Sequence, residues 1–190
     1  MGNAGAAVRV DHVMTLLECF DLHGCDRGSA RHRYDRIYEP LFEPRRNEPL
    51  RILEIGIFRG AGIAAWLEYF PTAVVHGIDT FDRVRPDQVP ILDDMAVFWW
   101  RQDSTAGVPE SMSIQYDLIF DDGAHDPGSQ VKTLRNYLPK CRGMYFIEDV
   151  YPDKYDCSGL FAEVNRHGAR HWDLRTRRVP DSYLLEARPC

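Results

Sequence analysis

The 190-residue chain has no CxxC pair, and its five cysteines (Cys19, Cys25, Cys141, Cys157 and Cys190) are scattered and odd in number. This argues against a disulfide framework or a structural zinc site and suits a reducing cytoplasm. No apolar run approaches the roughly 18 residues of a membrane span, and the start of the chain shows no apolar leader core. The opening Met1-Gly2-Asn3 has Ala6 where a myristoylation signal needs Ser or Thr, which rejects that reading. Basic excess is missing too: 23 Lys and Arg face 29 Asp and Glu, for a net charge of -6. Such a balance argues against a nucleic-acid backbone as the main partner. The Arg-rich stretches 31–36 and 175–178 are interleaved with acids or apolar residues and read as solvated faces. Neither an internal repeat nor a low-complexity linker divides the chain, so its length suits one domain with a sizeable core.

What is present is a change of rhythm. Residues 9–22 place Val10, Val13, Met14, Leu17 and Phe20 at helical spacing. Tyr34, Ile37, Tyr38, Leu41 and Phe42 predict a second helix, ended near Pro44. Strands are then expected at 50–55, 73–78, 97–101, 116–120 and 143–147. Helices are expected at 61–70, 127–138 and 158–167, with a short one near 89–95. Asp126 is the expected N-cap of the helix that Pro127 opens. Residues 171–176 and 182–187 read as a closing antiparallel pair. Trp66 and Trp99 are expected in the core, with Trp100 on the other sheet face. The alternation predicts an α/β fold: a Rossmann-like, doubly wound, mainly parallel sheet of seven strands with an antiparallel C-terminal hairpin.

In such a sheet, ligands sit outside the carboxyl ends of the strands. The first strand ends in EIGIFRGAG, where Gly56 and Gly60 permit a tight turn close to a ligand. Phe58 stands where the dinucleotide GxGxxG has its middle glycine, and there is no Walker Lys-Ser/Thr. The second strand ends in Asp79, about 20 residues past the turn, a position suited to ribose hydroxyls. The third ends in Asp103-Ser104, where Asp103 could face an adenine amino group or cap a turn. The fourth runs into FDDGAHDP and the fifth into IEDV. Neighbouring strand ends would gather Asp121, Asp122, Glu148 and Asp149. Carboxylates that close raise one another's pKa unless something positive compensates them, and a divalent cation is the simplest candidate. Side chains alternate along a strand, so both members of either acidic pair reach one site only where the chain turns. Arg142 and Lys132 are alternative ion-pair partners for these acids.

LRILEIGIFRGAG, VVHGID, YDLIFDDGAH and YFIEDV resemble a class I S-adenosylmethionine-dependent methyltransferase. More narrowly they resemble the metal-dependent sugar O-methyltransferases of macrolide biosynthesis and the related cephalosporin-hydroxylase-like group. The resemblance implies that Glu54, Gly56 and Gly60 border the methionine part of S-adenosylmethionine, Asp79 holds the ribose, and Asp103 and Ser104 lie near the adenine. It implies Asp122, Glu148 and Asp149 as ligands of Mg²⁺ or Mn²⁺, and leaves Asp121 without a role. The stretch from Asp26 to Tyr34 resembles the family's DKGS lead-in with Arg27 in place of Lys, and no role is assigned there. Residues 1–46 are expected as a helical segment covering the cofactor and acceptor site, and 47–190 as the core.

The expected reaction is methyl transfer to a hydroxyl of a small molecule, a sugar or glycosylated natural product, with His125 taking the proton. A homodimer is compatible with this reading; neither a membrane nor a nucleic acid is an expected partner. Two readings compete: a non-catalytic cofactor-binding module, and a metal-dependent hydrolase or oxygenase. The acids lack the two-histidine facial pattern of non-haem iron, which weakens the last.

Overall fold

The computed structural model describes residues 13–189. The proposed start of the first helix at residue 9, with Val10, lies outside them, as do the Met1–Ala6 stretch and Cys190. In chain order the elements are α1 (Leu16–Leu22), α2 (Asp35–Phe42), β1 (Arg51–Ile55), α3 (Ala61–Tyr69), β2 (Val74–Asp79), β3 (Val97–Arg101), β4 (Tyr116–Asp121), α4 (Pro127–Tyr137), β5 (Cys141–Ile147), α5 (Ser158–Asn165), β6 (Arg170–Asp173) and β7 (Tyr183–Ala187). The seven strands form one sheet in the order β3-β2-β1-β4-β5-β7-β6. β1 pairs in parallel with β2 and β4, β2 with β3, and β4 with β5; β7 runs antiparallel to both β5 and β6. This is the expected doubly wound architecture with its closing hairpin.

Local chemistry explains where elements begin. Thr15 and Glu18 form a capping box that starts α1. The Asp126 carboxylate accepts from Ser129 N at 2.9 Å and starts α4, with Pro127 in its first turn. Pro40 removes one donor from α2, which ends two residues later and tightens into a 3₁₀ turn at Glu43–Arg45. The helix expected near 89–95 is instead a 3₁₀ turn, Pro90–Asp93, preceded by another at Pro86–Gln88. Pro90 lacks the N–H that would join the two into an α-helix.

The sheet is buried on both faces. One face packs Trp66, Tyr38, Phe42, Phe70, Phe120 and Phe146 beneath the N-terminal helices and α3; Trp66 and Phe120 stack at 4.3 Å. The other packs Leu53, Ile119, Tyr145 and Leu185 with Leu134 of α4 and Leu160 of α5. Trp66 is fully buried and Trp100 packs on the second face, as expected. Trp99 is not core: it is 39% exposed. β3 has a neighbour on one side alone, so its outer residues meet solvent, and Trp99 meets the Phe81 ring at 5.1 Å. The four described cysteines are buried and free.

Candidate active site

A cleft of about 910 Å³ opens at the carboxyl ends of the parallel strands. Every residue expected to bind the cofactor, hold the metal or take the proton borders it except Glu148. The glycine turn is its floor. Gly56 has φ +93°, and a Cβ there would run into the Asp122 carbonyl. Gly60 has φ +81° and faces the side chains of Ile91 and Val89. Between them Phe58 adopts φ 49°, which strains a side-chain-bearing residue. Asp79 holds this turn in place: its Oδ2 accepts from Ile57 N and Phe58 N at 2.7 and 2.9 Å, and its Oδ1 from Phe81 N at 2.6 Å. Asp103 caps the 3₁₀ turn Ser104–Ala106, accepting from Thr105 N and Oγ1, both at 2.8 Å. Ser104 is buried and its hydroxyl meets Thr133 Oγ1 at 2.9 Å.

Strand alternation places the acids. Glu54, Phe120 and Phe146 sit side by side across β1, β4 and β5. Two residues on from Phe120 and Phe146 come Asp122 and Glu148, which therefore point to the same face as Glu54. All three meet one group, the Arg27 guanidinium. Its Nε donates to Glu148 at 2.7 Å, Nη1 to Glu54 at 2.8 Å and Nη2 to Asp122 at 3.0 Å. Arg27 is 1% exposed, and its guanidinium lies 5.5 Å from the Trp66 ring centroid. Burial would favour its loss of charge, but Glu148, Glu54 and Asp122 outweigh that and raise its pKa well above the ordinary value. Neither Arg142 nor Lys132 serves here; Arg142 forks onto Asp117 at the far end of β4. The compensating charge was in the chain, at the Asp26–Tyr34 stretch to which the sequence assigned no role.

Glu54 also accepts from Trp66 Nε1 at 2.7 Å. Glu148 also accepts from the Tyr38 hydroxyl. Burial, opposed by Arg27, pushes Glu148 up to about 8. Asp149 follows Glu148 directly and would face away if the strand continued. Its φ of 53° breaks the alternation, and its carboxylate accepts from Tyr34 Oη at 2.8 Å. Burial raises it to about 7. Asp122, buried and beside Glu148, Asp149 and Glu54, is held well above the carboxylate range despite Arg27. Asp121 now has an account: alternation sends it to the other face, where Tyr145 Oη lies 3.4 Å from its Oδ2. Burial there raises it to about 7.

His125 stands in the exposed loop before α4. Its donor atom and those of Asp122 and Asp149 lie within 4.8 Å of one another. The protein around it, and next the charge of Arg83, push its pKa below the ordinary histidine value, so the ring is neutral near pH 7. A neutral ring beside two carboxylates can accept a proton or join them in holding a cation. Sequence reasoning missed Arg27, His32, Tyr34 and Tyr38. The one signal for the tyrosines was their i, i+4 spacing, which puts two hydroxyl tips on a single face of α2.

No protein-family model matches the chain. Among characterised proteins, an 8-demethyl-8-(2-methoxy-alpha-L-rhamnosyl)-tetracenomycin-C 3'-O-methyltransferase of Streptomyces olivaceus is 30% identical over 141 residues, which cover 68% of this chain and 35% of the relative. A mycinamicin VI 2''-O-methyltransferase of Micromonospora griseorubida is 25% identical over 150 residues, covering 67% of this chain and 36% of the relative. The chain thus spans about a third of the length of the curated relatives it matches. In fold it is similar to the MycE methyltransferase of the mycinamycin pathway, solved with Mg, SAH and mycinamycin VI (TM-score 0.67, 19% identity, 92% of this chain and 54% of that one). It is also similar to a putative O-methyltransferase from Klebsiella pneumoniae (TM-score 0.61, 18% identity, 92% and 88% coverage). With its sheet order and its glycine-floored cleft, the chain has the Rossmann-like class I methyltransferase fold and is related in sequence to the macrolide and sugar O-methyltransferases.

Proposed function

We propose that the chain transfers a methyl group from S-adenosylmethionine to a hydroxyl of a sugar or sugar-bearing natural product, with the help of a divalent cation. The observation that carries the reading is one cleft bordered at once by the glycine turn and by the Asp122, His125 and Asp149 group. Gly56 and Gly60 let the methionine part of the cofactor approach the backbone, above Glu54. Asp79 sets the turn, and beyond the three N–H donors it already accepts, its Oδ1 retains one of the carboxylate's roughly four lone pairs for a ribose hydroxyl. Asp103 and Ser104 lie where the adenine would end.

Asp122 and Asp149 reach the cleft and fit a hard cation such as Mg²⁺ or Mn²⁺ by their donor chemistry. Glu148, the third expected ligand, stands behind them with its oxygens on Arg27 and Tyr38. A cation held here supplies Lewis acidity toward the acceptor hydroxyl. His125 takes the hydroxyl proton; the acceptor oxygen then bonds to the methyl carbon as the carbon–sulfur bond breaks, leaving S-adenosylhomocysteine. The protein contributes mainly alignment, because the methyl is already activated on sulfur.

The test is calorimetry with S-adenosylmethionine, followed by methyl-transfer assays on a panel of glycosylated acceptors with and without EDTA. The expected result is cofactor binding, and turnover that EDTA abolishes. Absence of cofactor binding overturns the whole reading, whereas activity in excess chelator removes the metal alone.

A further inference from the structure

Asp149 belongs to two groups of potential ligands. Besides Asp122 and His125, it stands with Asp26 and His32, the donor atoms of this second trio again lying within 4.8 Å of one another. The second trio uses none of the three acids bonded to Arg27.

Its residues are brought together by the main chain. His32 N donates to Asp26 O at 2.8 Å, and Tyr34 N donates to Arg27 O at 2.9 Å, closing the 26–34 loop on itself. The His32 side chain is 1% exposed. Its ring stacks on Tyr34 at 5.0 Å, and its Nδ1 meets Ser182 Oγ at 2.7 Å. The other ring nitrogen, Nε2, is buried with no hydrogen-bond partner. It points between two carboxylates, 3.4 Å from Asp149 Oδ1 and 3.7 Å from Asp26 Oδ2. Such a buried polar atom is costly to the fold if nothing satisfies it.

In the tautomer with Nδ1–H donating to Ser182 Oγ, the lone pair on Nε2 faces two acids. That arrangement is unfavourable by itself and favourable around a cation. The spacing suits one: metal–ligand bonds of roughly 2.0–2.2 Å set tetrahedral corners about 3.4 Å apart. Asp26 and Asp149 both border the cleft, which leaves the ion an open side. One imidazole with two carboxylates selects a borderline divalent ion over Mg²⁺ or Ca²⁺.

We propose that Asp26, His32 and Asp149 form a second cation site, for an ion such as Mn²⁺, Co²⁺ or Zn²⁺, joined through Asp149 to the group containing Asp122. The site does not require the methyl-transfer reading. An ion there ties the 26–34 loop to the end of β5, and so fixes the segment that also carries Arg27.

Co²⁺ titration of the metal-free chain, followed by calorimetry and visible absorption, counts the ions. Wild type takes two per chain. His32→Ala takes one, Asp122→Asn takes one, and Asp149→Asn takes none. Asp26→Asn, whose side chain is 55% exposed and leaves the core untouched, also loses one ion and covers the case in which His32→Ala does not fold. His32→Ala and Asp26→Asn binding as many ions as wild type would overturn the site, and so would a wild type that binds none. A wild type that binds a single ion, lost in His32→Ala and kept in Asp122→Asn, supports this site and removes the metal from the proposed function. A single ion with the reverse pattern overturns this site and leaves His32 as a positioning group for Asp149.

Discussion

Replacing Arg27 with Met tests the central electrostatic claim. The side chain is 1% exposed and makes three charged hydrogen bonds, at 2.7, 2.8 and 3.0 Å, to Glu148, Glu54 and Asp122. Methionine fills much of the same volume and removes the charge. Three acids then share a buried face with no counter-ion. Removing one partner of a buried ion pair costs about 3–5 kcal/mol, because the other charge is left uncompensated. Set against a typical total of 5–15 kcal/mol, that is a large fraction of the stability. With a urea slope of about 2 kcal/mol/M, a 4 kcal/mol loss moves the unfolding midpoint down by roughly 2 M. Divalent cations should recover more stability in this variant than in wild type, since a metal then becomes the sole compensating charge at Asp122. Arg27→Lys should fall between the two, because a lysine keeps the charge but not the planar fork that reaches three acids. Urea unfolding of the three proteins, with and without Mg²⁺, provides the measurement. A midpoint for Arg27→Met within about 0.3 M of wild type would refute the reasoning, as ordinary surface substitutions reach about 0.5 kcal/mol.

Other outcomes follow from single positions. Gly56→Ala should cost at least about 1–2 kcal/mol from the backbone alone, and should weaken cofactor binding, because its Cβ drives β1 from the Asp122 carbonyl; unchanged calorimetry would contradict this. His125→Ala should lower turnover by roughly 10²–10⁴-fold if the ring takes the acceptor proton, with the cofactor dissociation constant little changed; an unaltered rate retires that role. Tyr38→Phe removes the hydroxyl donated to buried Glu148 and should cost about 1.5–3 kcal/mol, the range for hydrogen bonds to charged groups, read by thermal unfolding. His76 is buried beside Tyr116, and desolvation, then Arg51, lower its pKa from 6.5 to about 4. The neutral ring is favoured in the fold, so its contribution is complete above pH 6.5 and is lost as pH falls toward 4. The gap corresponds to on the order of 3 kcal/mol. An NMR titration of His76 with a midpoint above 6 would refute it.

The alternation of strands and helices was readable because it rests on local rules: hydrophobic period, proline and glycine punctuation, and caps such as Asp126. The cleft was readable as well, because a parallel sheet puts its strand ends on one rim, where EIGIFRGAG, GID, DDGAH and IEDV all stop. Local rules ran out where a partner came from far along the chain. Arg27 and Glu148 are 121 residues apart, and no spacing in the sequence joins them. The acids of IEDV and DDGAH demanded a positive charge, but whether a metal or a side chain supplies it depends on where the 26–34 loop crosses the sheet. Trp99 reads as a core residue until the strand order places β3 at an edge. Asp121 and Asp122 look equivalent in sequence and are separated by alternation, one toward Tyr145 and one toward Arg27. The sequence therefore determined which residues end the strands. Tertiary structure alone decided which charge meets which, since that is a matter of distance through space across a buried face.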